Sequence, residues 1–159
     1  MNGQSELSEY ERVSAGERPL IRRVLAGEGH AVDPSWEKAI KQGDFEAVCA
    51  QLDRGTNVDA LDRHGQTGLM LAAVAGHYGV AETLVEHGAD LNVTAKYGLS
   101  ALMLTVVNGH TEIARLLVRA GADLSLRGTG APGFANKTAS DLAEARGLRE
   151  LARELETKV

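Results

Sequence analysis

A stretch of this chain repeats itself every 33 residues, and no other property restricts its folds so tightly. Gly55-Thr56-Asn57-Val58-Asp59, Gly88-Ala89-Asp90-Leu91-Asn92 and Gly121-Ala122-Asp123-Leu124-Ser125 begin at that interval. So do Gly43-Asp44, Gly76-His77 and Gly109-His110, and Thr67-Gly68-Leu69-Met70-Leu71-Ala72-Ala73 matches Ser100-Ala101-Leu102-Met103-Leu104-Thr105-Val106 in the same register. Three independent anchors mark a tandem array of one supersecondary unit. Each unit reads as two short helices divided by a glycine turn. In one unit the first helix runs from near Ser100 to Asn108-Gly109, and Ile113, Leu116, Leu117 and Val118 give the second helix one apolar stripe. Thr67, Ser100 and Thr138 stand where an N-cap hydroxyl is wanted, and Gly88 and Gly121 where a left-handed C-terminal residue is wanted. Helices of about eight to ten residues are marginal alone in water, so these must stack on their neighbours.

Composition fits a helical stack. Aromatic residues make up 4% of the 159-residue chain, so the core has to be small and aliphatic, which argues against a β-sandwich. The formal net charge is -5, with no basic block to suit a phosphate backbone, and nucleic acid is not an expected partner. A single Cys49 allows no internal disulfide, the N-terminus lacks a basic start followed by an apolar run, and the longest apolar run, Leu69 to Ala75, cannot span a membrane. A reduced, cytoplasmic, monomeric protein without membrane contact is the expectation.

The chain resembles ankyrin repeats. Asp62 to Thr94 and Ala95 to Arg127 match as full repeats, and Pro34 to Leu61 matches from its first helix onward, with Gly43, Ala47, Leu52 and Gly55 in register. Upstream, Ile21, Val24, Leu25, Ala26 and Gly29-His30-Ala31-Val32-Asp33 look like the second half of a repeat, and Asp33-Pro34 can cap the next helix directly. Downstream, Thr138 to Ala143 repeats the helix start 38 residues after Ser100, so five extra residues lengthen the preceding loop. The charged helix Leu148 to Glu156 suits a terminal cap. The resemblance therefore implies an all-α solenoid with finger loops. Its organisation would be a polar segment over 1–19 without fixed structure, a half repeat or N-terminal cap over 20–33, repeats over 34–61, 62–94 and 95–127, and a capping repeat with an extended loop over 128–159. Departures occur at the family's T-P-L-H signature, whose proline is Gly68, Ala101 and Ala139 here and whose histidine is Met70, Met103 and Asp141. Glycine at Gly68 should cost about 0.5–1 kcal/mol against alanine.

Several motifs have competing readings. Gly128-Thr129-Gly130-Ala131-Pro132-Gly133 spells the dinucleotide fingerprint, but lacks the strand before it and the helix opening at its last glycine, so an elongated loop between repeats is preferred. His77 and His110 occupy the same turn of adjacent repeats, too far apart to share a zinc ion, and bracing that turn is the expected role. Cys49 matches Glu82 and Arg115 by register and should face outward as an ordinary thiol. No nucleophile, base and acid can be placed convergently, so no enzyme activity, cofactor or metal is expected.

The resemblance locates function on the concave side, where fingers and first helices form one surface. Carried over residue by residue, Arg63, His64 and Gln66 stand on one finger and Lys96, Tyr97 and Leu99 on the next, with Val74, Ala75, Val107 and Asn108 continuing the surface on the first helices. Exposed Tyr97 and Leu99 beside Lys96 and Arg63 would give the apolar centre and charged rim of a protein contact site, unless Leu99 folds back onto its own repeat. Phe134, in the lengthened loop, either plugs the end of the stack or meets a partner. The expected function is a module or scaffold that binds another protein. The alternatives are nucleotide or metabolite binding by the glycine loop 128–137, and a fixed accessory subunit of a complex.

Overall fold

The computed structural model describes residues 33–157. Four helix pairs follow one another: α1 (Pro34–Gln42) with α2 (Phe45–Asp53), α3 (Gly68–Ala75) with α4 (Tyr78–Glu86), α5 (Ala101–Val107) with α6 (Thr111–Arg119), and α7 (Ala139–Ala145) with α8 (Arg149–Thr157). The first helices form an inner layer, each packed on the next, and their partners form an outer layer. Among the described residues strand pairing amounts to two isolated bridges, Thr94 with Ser100 and Gly128 with Ala135. The segment 1–19 and the half repeat over 20–33, Asp33 apart, lie outside the described residues.

Local chemistry explains where each helix starts and stops. Thr67 and Ser100 accept from the amides of Met70 and Met103 at 3.2 and 3.3 Å. Thr138 and Asp141 bond reciprocally as a capping box. Asp33 accepts from the Ser35 amide at 2.8 Å ahead of Pro34, so Asp33-Pro34 starts α1 as the sequence predicts. Gly43, Gly76 and Gly109 leave the inner helices at φ +71°, +81° and +77°, where any other residue would be strained.

His77 and His110 brace these turns as the sequence predicts. The Nε2 of His77 donates to the Lys41 carbonyl at 3.0 Å, and that of His110 to the Val74 carbonyl at 3.1 Å. Each imidazole thus satisfies a carbonyl at the C-terminus of the preceding inner helix, which has no partner within its own helix. A Cβ at Gly76 would lie 2.5 Å from His110 Cε1, so ring and glycine require each other. Leu148 stands at the matching position of the last pair and makes no such bond.

The core is aliphatic apart from Trp36. The departure at Gly68 has a packing reason: a Cβ there would meet Ile40 Cδ1 at 2.7 Å and Trp36 Cζ2 at 3.3 Å. Bulk removed from the start of α3 is supplied by α1, so the glycine completes a close helix contact rather than loosening it.

Register also explains the ends of the stack. Leu71, Leu104 and Leu142 are buried on the side facing the previous pair, as are Leu84, Leu117 and Leu155, whereas α1–α2 places exposed Lys38 and half-buried Gln51 at these positions. At the other end Ser140, Glu144 and Glu156 replace Leu102, Val106 and Val118. Both terminal pairs of the described stack therefore turn polar groups outward.

Candidate protein-binding surface

Each finger is shaped by its own backbone. In the first, Asp62 is buried and its Oδ1 accepts from the His64 and Gln66 amides, both at 2.8 Å, while Gly65 at φ +75° closes the turn onto the Asp62 carbonyl. Its Oδ2 is buried without a hydrogen-bond partner. This arrangement pushes Arg63 and His64 into solvent, where Arg63 Nε donates to His64 Nε2 at 3.1 Å, and leaves Gln66 half-buried. In the second finger the Gly98 amide donates to the Ala95 carbonyl at 3.1 Å and closes a tight turn through Lys96 and Tyr97, with Lys96 Nζ 4.8 Å above the Tyr97 ring centroid.

Tyr97 is the most unusual residue of this surface. Its φ is +64°, a left-handed conformation that costs a bulky residue about 1 kcal/mol, yet its side chain remains 41% exposed. The Tyr97 carbonyl accepts from the Thr129 amide at 2.6 Å, so the following loop holds this backbone in place.

Val74, 40% exposed, and Ala75 project from the end of α3, and half-buried Val107 and exposed Asn108 stand at the matching end of α5. Asn108 Nδ2 donates to the Leu104 carbonyl at 2.8 Å, which folds its amide onto the helix. Arg63, His64, Lys96, Tyr97, Val74, Ala75 and Asn108 are thus available on the finger and inner-helix side, with Gln66 and Val107 partly so.

One expected contact residue is corrected. Leu99 is only 8% exposed and belongs to the core, because the Ala95 amide bonds to its carbonyl and turns the side chain inward. Phe134 is half-buried: part of its ring packs against the core and part stays in solvent, so it is partly available as Gln66 and Val107 are. Cys49, expected to face outward, is half-buried on α2.

Most amides of the glycine loop are already bonded within the protein. Gly128 donates to the Lys137 carbonyl, Thr129 to Tyr97, Ala131 to Thr129, Phe134 and Ala135 to Ala131, Asn136 to Gly128 and Lys137 to Phe134. A phosphate cradle needs a row of free amides, and here they close the loop on itself. Gly128 permits the closure, since a Cβ there would fall 2.3 Å from the Phe134 carbonyl oxygen.

Sequence reasoning missed several residues. Asp59 and Asn92 share a register position, and their Oδ1 atoms accept from the Asp90 and Asp123 amides, both at 2.8 Å, linking successive loops. Burial raises the Asp59 carboxyl above the usual carboxylate range, and the charge of Asp90 adds to this against the bond from the Asp90 amide. Asp123, in contrast, is held low by hydrogen bonds from the Ser125 hydroxyl and amide. The 33-residue register marked the Asp59 and Asn92 position but not its bond. Exposed Phe45, on the outer layer, shared a register with Tyr78 and Thr111 that gave no sign of its 51% exposure.

Among the described residues no group of three or more histidine, cysteine or acidic side chains is placed to hold a metal ion, and no helix is long and apolar enough to cross a membrane. Fingers and inner helices lined up along a helical stack define a repeat protein of the class that presents an extended surface rather than a reaction cleft. The chain belongs to the ankyrin-repeat family: a family model described as ankyrin repeats in three copies matches residues 36–127. Ankyrin repeats in general are protein–protein interaction modules. The chain is also similar to XBAT31 of Arabidopsis thaliana, whose name marks it as a candidate E3 ubiquitin-protein ligase, at 38% identity over 75 residues. That match covers 47% of this chain and 16% of the relative, so the chain spans less than a fifth of that protein's length.

Proposed function

We propose that this chain is a non-enzymatic binding protein that holds a partner protein against its fingers and inner helices, with Tyr97 as the central anchor. The observation that carries the reading is the conformation of Tyr97. A bulky side chain kept exposed at positive φ, with its carbonyl bonded to Thr129 and a lysine over its ring, is strained and supported at once. Strain of this kind concentrates at functional sites. Val74 and Ala75 extend the apolar area, and Arg63 and Lys96 flank it.

The test compares two single variants by partner pulldown and calorimetry. Tyr97→Ala should weaken partner binding by about thirtyfold or more, the usual effect of losing a hot-spot aromatic. Arg119→Glu, on the outer layer, should leave affinity within about twofold in moderate salt. Loss of binding in Arg119→Glu with retention in Tyr97→Ala would move the partner to the convex side.

A further inference from the structure

Charge is unevenly distributed over this acidic chain. The outer helices α2, α4, α6 and α8 carry eight acidic residues and four basic ones. The inner helices through Arg146, taken with the finger segments 62–67, 94–100 and 127–138, carry seven basic residues and four acidic ones. Of these charges Glu37 and Lys41 pair with each other, Asp62 is buried beneath its finger, Asp141 caps α7, and Lys38 and Glu144 lie at the polar ends of the stack, which leaves Arg63, Lys96, Arg127, Lys137 and Arg146. Asp141 also lies in the field of Lys137 and Arg127. Exposed Asp90 and Asp123 belong to the turns that precede the fingers, and each gives an oxygen to a backbone amide of its own turn.

Several cations stand on the finger side of the stack. Arg63 and Lys96 occupy one register position on successive fingers, and exposed Arg127 and Lys137 flank the last. Arg127 uses one nitrogen on the Asn136 carbonyl at 2.9 Å, which ties it to that loop and leaves its remaining donors open. The Tyr97 ring stands on the same fingers, and Val74, Ala75 and Val107 sit at the far ends of α3 and α5.

From this distribution we propose that the occupant is an extended acidic segment of another protein, with carboxylates at about every third residue and apolar side chains between them. The proposal rests on the finger-side binding reading above and adds the partner's chemistry. The spacing comes from geometry: packed helices lie about 8–10 Å apart, and an extended chain advances about 3.3 Å per residue, so one repeat corresponds to about three residues of ligand. Carboxylates at that interval meet Arg63 and Lys96 in turn, with Arg127 and Lys137 beyond them, while the apolar residues between turn toward the Tyr97 ring and the inner helices. The aliphatic centre favours such a peptide over nucleic acid.

The test uses fluorescence anisotropy on the full chain with labelled peptides of identical length. One carries Glu at every third position among Leu and Tyr, a second has Gln in place of each Glu, a third has Lys, a fourth has the same Glu residues bunched at one end, and a fifth probe is oligo-dT. The spaced Glu peptide should bind best, by about tenfold over its Gln analogue at low salt, and the preference should shrink as salt rises. Lys96→Glu combined with Arg127→Glu should cut its affinity about tenfold while leaving the Gln peptide unaffected, and Arg119→Glu should change neither. Thermal melts of the variants check that all are folded. Equal binding of Glu and Gln peptides, or of spaced and bunched Glu, overturns the acidic assignment but leaves finger-side binding intact if Tyr97→Ala weakens both. Binding that is indifferent to Tyr97→Ala overturns the underlying reading as well. Preference for oligo-dT or for the Lys peptide overturns the proposal, as does self-association abolished by Lys96→Glu, which would place a second copy in the groove.

Discussion

Replacing Gly76 or Gly109 by alanine separates two reasons for a glycine at the same turn. Both residues are left-handed, at φ +81° and +77°, so each alanine carries a backbone cost of about 1 kcal/mol. At Gly109 nothing lies within 4 Å of the new Cβ, and that cost is the whole effect. At Gly76 the Cβ would sit 2.5 Å from His110 Cε1 and 2.8 Å from Nδ1, so the imidazole must leave. Its bond to the Val74 carbonyl goes with it, about 1 kcal/mol more, and ring packing adds to the loss. Gly76→Ala should therefore cost about 2–3 kcal/mol against about 1 for Gly109→Ala, a difference of several degrees in Tm for a domain of this size. Urea unfolding followed by circular dichroism measures both. In a His110→Ala background the excess cost at Gly76 should vanish, since the obstacle is gone. Equal costs at the two glycines, or an excess that survives His110→Ala, would refute the bracket.

Leu99→Ala should cost about 2–4 kcal/mol in chemical unfolding because it opens a core cavity, whereas Tyr97→Ala should cost under about 1 kcal/mol. Asp59 titrates above its unfolded value, so its contribution favours the fold below about pH 4 and is lost as pH rises through the raised native value. Asp59→Asn should then raise the urea midpoint at pH 7, retain the bond to the Asp90 amide and give no gain near pH 3. Glu154 is held below the usual range by hydrogen bonds from Arg115, so its contribution is present above about pH 4.5 and lost as pH falls. Glu154→Gln should make thermal stability less dependent on pH on the acid side and lower it at pH 7. Truncation after Gly147 would strip Leu151 and Leu155 from the last layer and should produce aggregation visible by light scattering, because the uncovered surface is apolar.

Repetition made the fold legible. Thr67, Ser100 and Thr138 each promised a helix start and each caps one, because capping is a local bond that a hydroxyl at the right position makes unaided. His77 and His110 were readable for the same reason, as repeated residues beside repeated glycines. Legibility failed where a side chain's surroundings are set by residues outside its own helix. The resemblance places Leu99 on a finger, but the Ala95 amide reaches back to its carbonyl and its side chain lies in the core. Gly68 read as a weak helix start until Trp36 and Ile40, a repeat away, were seen to occupy its missing side chain's volume. Register gave the basic positions of the fingers, but it could not show that the acids near them are bonded or buried.

The joints between pairs are not alike, and this gives the stack uneven stiffness. The first two are pinned at the turn end by His77 and His110 and at the loop end by the Asp59 and Asn92 bonds. The third has neither kind of pin; it is held by the Thr129 amide at the Tyr97 carbonyl and by Arg115 with Glu154 at 3.0 Å across outer helices that pack less closely than their predecessors. The joint before α7–α8 therefore has fewer cross-ties than the two before it and should be the first to yield under load along the stack, as in a beam with one compliant leaf at its end. Bending there would move Arg146 while Arg63 and Tyr97 hold their spacing.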